Sequence, residues 1–349
     1  MKRLLCLAVI GILGGASSAF AQDARGLDLY FIDVNGGAAT LLVSPEGESV
    51  LIDTGWAGFE DRDPRRIEHV LRNVAKLDHI DHLVITHWHR DHFGGVEGLS
   101  NRVRIDHFWD RGLPSDNLNG VDFPDGPQPD DPLLIAYKKA SKGKRRVLKA
   151  GDTLPLGGML KARVLASGGK VVHTGGPDAP NPLCETEIKD KAEDTSDNAR
   201  SLAFLFSFGP FAFLDCGDLT WNVEKQLVCP KNLIGQVDLY QVTHHGLDAS
   251  NHPTLVRSIE PVVTIMNNGP KKGGKPAVVA LLKQIPSIEA AYQVHKNADT
   301  SADENTSADL IANRNPEGGN FFHVHVAPDG KTFSVQVGTA GEAKEFKSK

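Results

Sequence analysis

Apolar and polar positions along the first hundred residues predict short strands, then a helix, then a strand feeding a polar loop. Runs at Leu29 to Val34, Ala39 to Val43 and Ser49 to Ile52 are rich in Val, Leu and Ile, and Pro45-Glu46-Gly47 supplies the turn between the last two. Ile67, Val70, Leu71, Val74 and Leu77 recur at three and four residues, which predicts a helix with one face on a sheet. Leu83 to Thr86 reads as a buried strand that ends in a histidine-rich loop. Ser201 to Leu214 is apolar on both sides of Gly209-Pro210, the pattern of a core hairpin whose second strand delivers Asp215 and Asp218. Val237 to Val242 predicts a strand before a second histidine-bearing loop. Alternating apolar segments then run to Ala291, and a last hairpin spans Phe321 to Val337 with its turn at Asp329-Gly330. Two stretches break the pattern. Pro114 to Pro132 reads as an irregular loop of the kind that covers sites, and Gly175 to Asn198 as an insertion between strands.

The ends and the composition change this picture in three ways. Lys2 and Arg3 precede an apolar run from Leu4 to Leu13, and small residues lead to Ala19-Phe20-Ala21, the pattern of a secretory signal peptide cut after Ala21. Export to the periplasm or medium is therefore expected, with residues 22–349 forming a single domain and no membrane span. Cleavage would lower the basic count from 38 to 36 against 44 acidic residues, taking the formal charge from −6 to −8. That balance argues against a broad nucleic-acid-binding face, so no stable nucleic-acid complex is expected. Cys184, Cys216 and Cys229 would remain, leaving room for one bridge, Cys184 with Cys229, and a buried Cys216.

The chemistry concentrates in the segment from Thr86 to Gly95. His87 and His89 stand two residues apart, which in an extended loop places both rings on one side, and Asp91 and His92 follow. Nitrogen and carboxylate donors in this mixture suit zinc, and less exclusively manganese or iron. Two divalent ions are expected, with His87 and His89 serving one and Asp91 and His92 the other. His244 and His245 can both reach a site only if the backbone turns between them. His245, before Gly246, is the preferred ligand and His244 the preferred group for holding substrate or moving a proton, with the reverse assignment open.

HxHxDH followed by Gly-Gly resembles the signature of the metallo-β-lactamase superfamily. Three further blocks are similar to its ComEC/Rec2-like competence-protein branch: FIDVNGGAATLLVSPEGESVLIDTG at 31–55, DNARSLAFLFSFGPFAFLDCGD at 197–218 and QVTHHGLDAS at 241–250. The resemblance implies an α/β fold, a four-layer αββα sandwich with its site at one sheet edge, in which Asp218 bridges both metals. Shared negative charge between two nearby dications makes physical sense of that position. Asp215 is the rival. Asp33 and Asp53 fall where the family has residues that orient loops.

The sequence departs from the family at two points. Many relatives carry a further His in the block that here begins Asp197-Asn198, so the first metal would need His173, Asn198 or water. The branch's Gly-His-Pro is here Gly274-Lys275-Pro276. Lys271, Lys272 and Lys275 read as a solvated basic loop, with an anionic substrate as the alternative. His323 and His325 share one face of the last hairpin and read as exposed strand residues. The expected function is metal-dependent hydrolysis of a phosphodiester or related ester by a metal-activated water, oriented by Asp91, with His244 bonded to the attacked group. A lactone or β-lactam-type carbonyl hydrolase is one alternative, and a non-catalytic metal-binding or sensing module is another.

Overall fold

The computed structural model describes residues 25–113, 125–185 and 188–349. The signal-peptide expectation for residues 1–21 and most of the expected loop at 114–132 lie outside the described residues.

One sheet contains β1 (Leu27–Phe31), β2 (Thr40–Val43), β3 (Ser49–Ile52), β4 (His79–Val84), β5 (Arg104–Asp110) and β6 (Arg145–Val147). The other contains β7 (Leu160–Ser167), β8 (Lys170–Val171), β9 (Ala203–Phe208), β10 (Phe211–Asp215), β11 (Leu239–Gln241), β12 (Val263–Met266), β13 (Ala290–His295) and β14 (Ile311–Asn313). The chain then returns to the first sheet with β15 (Phe322–Val326), β16 (Thr332–Val337) and β17 (Lys344–Lys347). The orders are β17-β16-β15-β1-β2-β3-β4-β5-β6 and β14-β13-β12-β11-β10-β9-β7-β8.

Period-two alternation explains why the sheets stack. Leu27, Leu29 and Phe31 of β1 face Phe204, Phe206, Phe208 and Phe213 of the second sheet, while Tyr30 and Ile32 turn to the other side. Phe31 meets Phe213 edge-on at 5.8 Å between ring centres. The outer face of the first sheet packs on α1 (Arg62–His69), α2 (Arg90–Phe93), α3 (Val96–Ser100) and α4 (Pro132–Ala140). That of the second packs on α5 (Trp221–Val228), α6 (Pro253–Ile259) and α7 (Pro276–Lys283). The four-layer αββα sandwich implied by the sequence is the observed architecture.

The predicted first helix ends sooner than its apolar spacing suggested, because α1 gives way at Val70–Val74 to a wider turn in which Ala75 N–H bonds the Val70 carbonyl at 2.8 Å. Ile67, Val70 and Leu71 still face the core. The expected pairing of Cys184 with Cys229 is present, with Cα atoms 5.7 Å apart, and Cys216 is buried.

Strand direction decides where function can reside. β3, β4, β5 and β6 run parallel, as do β10 through β14. The loops leaving the carboxyl ends of β3, β4, β10, β11 and β12 begin at Asp53, Ile85, Cys216, Val242 and Asn267 and meet along one edge of the sandwich.

Asp33, just past β1, ties this edge together. Its buried carboxylate accepts from Arg66 Nη1 at 2.9 Å and Gly319 N–H at 2.7 Å, and lies 2.8 Å from His295 Nε2 at the end of β13. Burial alone would raise its pKa, but His295 and Arg66 outweigh that and hold it below the usual range. A carboxyl depressed on folding contributes stability above its unfolded pKa of about 3.9, and that contribution is lost as pH falls through the folded value. Asp33→Asn should therefore cost about 2 kcal/mol at neutral pH. The gap from wild type should close below about pH 4, read from urea midpoints across pH. A gap that stays constant would refute the ionic role.

Candidate metal centre

The loop after β4 starts with Thr86, whose N–H donates to Asp53 Oδ1 at 2.8 Å and whose hydroxyl donates to Asp53 Oδ2 at 2.7 Å. Asp53 Oδ2 also accepts from His92 Nδ1 at 2.7 Å. His87 Nδ1 lies 3.1 Å from the Thr86 oxygen, and His245 Nδ1 lies 3.0 Å from the Asn267 carbonyl. In His92 and His245 the Nδ1 proton is committed to an acceptor, and the Thr86 oxygen accepts in the same way from His87. Each Nε2 consequently points into the site, and a supporting hydrogen bond at Nδ1 is how a ligating histidine is held in orientation.

His244 and His245 adopt φ of 56° and 55°, so the backbone does turn between them. Both rings consequently reach Asp218 Oδ2, each at 3.4 Å. Gly273 backs this turn from the loop after β12. Its φ is +79°, and a Cβ there would fall 2.0 Å from the His245 carbonyl oxygen, so only glycine fits.

Asp218 Oδ2 is the common neighbour of all four rings, with His92 Nε2 at 3.2 Å and His87 Nε2 at 3.8 Å. Asp91, His92, Asp218 and His245 form one buried group with a donor atom each inside a 4.8 Å span. Two ligands on one tetrahedral cation, bonded at about 2.0–2.2 Å, lie roughly 3.3 Å apart. The separations here match: His92 to His245 3.2 Å, His92 to Asp91 3.3 Å and His245 to Asp91 3.1 Å. Among the described residues, His87 Nε2 is buried without a hydrogen-bond partner, as is the Asn198 Oδ1 atom. An orphaned imidazole nitrogen beside a carboxylate is the position a cation would fill. The residues therefore fit the metal ions that the sequence led us to expect.

Electrostatics agree with the geometry. Burial and the neighbouring His92 push His87 well below its ordinary pKa, and His244 falls to about 4, chiefly through burial. For Asp91 and Asp218 burial acts upward, but the neighbouring His92 above all outweighs it and holds both carboxyls ionised. His92, where burial acts downward, is raised by Asp218, Asp91 and Asp53 together. Uncharged His87 and His244 thus stand beside ionised Asp91 and Asp218, with His92 holding a proton among them.

The other sequence candidates fall as follows. His89 sits edge-on to His87 at 4.8 Å, but its Nε2 lies 3.0 Å from Asp125 Oδ2 and it is outside the four-residue group. Asp215 Oδ1 accepts the Gly217 N–H at 2.8 Å, and burial raises this carboxyl to about 7. His173 is exposed. Asn198 Nδ2 lies 3.5 Å from His244 Nε2, which places that side chain beside the centre. Lys271 and Lys275 are exposed, whereas Lys272 leaves the solvated loop and contacts Asp91 Oδ2, with its ammonium 4.9 Å from the Trp56 ring centre. Sequence reasoning missed Asp125 and Ser250, the latter 3.0 Å from His244 Nδ1. Neither belongs to a spacing motif.

Two packed sheets with a buried histidine and aspartate centre at the strand ends define a metallo-β-lactamase-fold protein. The Metallo-beta-lactamase superfamily model matches residues 32–175 of the chain. Asp218, His244 and His245 lie beyond the matched segment and are placed by the fold. The chain is 32% identical over 71 residues to a beta-lactamase-like protein 2 homolog of Caenorhabditis elegans, covering 19% of this chain and 22% of that protein. It is 29% identical over 138 residues to the thioesterase pkgB of Emericella nidulans, covering 39% of this chain and 31% of that one. The matched segments thus span about a fifth and a third of those relatives. A solved structure of a CmlA beta-hydroxylase mutant matches with a TM-score of 0.47 and 18% identity over 77% of this chain and 52% of that one.

Proposed function

We propose that this protein is a metal-dependent hydrolase, exported from the cytoplasm, that cleaves a phosphodiester or related anionic ester. The observation carrying this reading is the junction of the Asp91, His92, Asp218 and His245 group with Lys272, a cation placed at the lip of the donor cluster. His87, His92, His245, Asp91 and Asp218 would hold the ions, with His89 and Asn198 beside them. Divalent ions bound there would polarise the substrate and bring a water's pKa toward neutrality.

The chain's own groups supply the remainder. Asp91 is kept ionised and can accept a proton from the attacking water. His244, uncharged at neutral pH and held by Ser250, can hydrogen-bond the attacked group. Lys272, braced against Trp56, offers a positive charge to an anionic substrate. The likeness of three sequence blocks to the competence-type branch supports the phosphodiester class, and the signal-like first 21 residues and the Cys184–Cys229 bond support an oxidising compartment.

A thioester or other carbonyl substrate is the second reading, favoured by the similarity to a thioesterase. Hydrolysis of bis-p-nitrophenyl phosphate, an acyl thioester, a lactone and nitrocefin, each with zinc, manganese or iron, separates the two. Turnover of the phosphodiester that EDTA removes and metal restores is expected. Metal binding with no turnover of any of these would instead support a binding or sensing module. Lys272→Ala should raise KM about tenfold for the anionic substrate with kcat within about threefold, since it removes binding shared by ground and transition states. An unchanged KM would remove Lys272 from substrate recognition.

A further inference from the structure

His323 and His325, on the exposed side of β15, lie across from β1 in a fixed antiparallel register in which Asp28 opposes His325 and Tyr30 opposes His323. Asp28 Oδ1 is 2.8 Å from His323 Nε2 and 2.8 Å from His325 Nδ1, so one carboxylate oxygen is shared by two imidazoles. The Tyr30 ring stacks on His323 at 4.6 Å with 9° between planes, which fixes that ring's orientation. One donor atom from each of the three residues falls inside a 4.8 Å span. None of the three contributes to the centre described above.

We infer that Asp28, His323 and His325 form a second, peripheral binding site for a divalent transition-metal ion. Two imidazoles and one carboxylate converging from a rigid sheet are a donor set suited to zinc, copper, nickel or iron, with the remaining positions open to water. The His325 side chain is 47% exposed, so an ion has direct access from solvent. Ligands on one ion stand roughly 3.3 Å apart, so binding requires the Asp28 oxygen to move only about half an ångström away from each imidazole nitrogen.

The site also has a mechanical meaning. Asp28 and His325 are separated by 297 positions in the chain, and β1 to β15 is the pairing that attaches β15, β16 and β17 to the rest of their sheet. An ion held there would clip that junction and close a long loop.

The test is zinc stoichiometry by equilibrium dialysis on the full chain and on His325→Ala and Asp28→Asn, each checked for wild-type circular dichroism. Wild type should retain one equivalent more than either variant, and Cu(II) loaded into wild type should give an electron paramagnetic resonance signal with nitrogen coupling that both variants lose. Added zinc should also raise the melting temperature of wild type a few degrees beyond its effect on the variants. Equal stoichiometry in all three proteins at millimolar zinc would overturn the site and leave a hydrogen-bonded His–Asp–His cluster. That outcome leaves the central reading untouched, because Asp218 and its neighbours are intact in every protein compared.

Discussion

Asp218→Asn should abolish metal-dependent hydrolysis, lowering kcat/KM by about 10³-fold or more, equivalent to about 4 kcal/mol of transition-state stabilisation. The carboxylate is the shared neighbour of His87, His92, His244 and His245, so its loss removes the negative charge that lets cations approach those rings. Metal content by plasma emission should fall by at least one equivalent. The fold should survive, because an amide of nearly the same shape replaces the carboxylate in its buried position, and circular dichroism should match wild type. Wild-type metal content and turnover in the variant would show that Asp218 is not at the working centre.

Asp197→Ala should be the most destabilising substitution near the site, costing about 3–5 kcal/mol, the range for removing one partner of a buried ion pair. Asp197 Oδ2 accepts the Trp88 N–H at 2.6 Å, and Asp197 Oδ1 pairs with the buried Arg111 guanidinium. Its own N–H donates to Asp125 Oδ1 at 2.6 Å. One residue thus holds the segment between His87 and His89, neutralises a cation inside the protein and anchors the neighbour of His89. Asp197→Asn should cost less, because it keeps an acceptor for Trp88 while losing the charge. Urea unfolding gives both values, and a cost under about 1 kcal/mol for the alanine variant would contradict this account.

Local patterns made part of this legible from the residues. Ser49 to Ile52 was readable as a strand to the residue, since turn signals bracket four β-favouring positions. The cluster of His87, His89, Asp91 and His92 was visible because a single loop carries all four. Contacts made by distant segments were not. Lys272 meets Asp91 across 181 positions, and its neighbours Lys271 and Lys275 do stay in solvent as a basic loop should. β5 escaped notice because Arg104, Asp106 and His107 interrupt its apolar positions. The pairing of Asp197 with Arg111 spans 86 positions and has no local signature at either end.

The place of β1 bears on how the chain comes to be made. It is the first described strand to emerge during synthesis, yet one of its two neighbours, β15, emerges only near residue 326. The ribosome must therefore deliver nearly the whole polypeptide before this apolar ribbon gains its second flank, and for those seconds it is a natural client for chaperones.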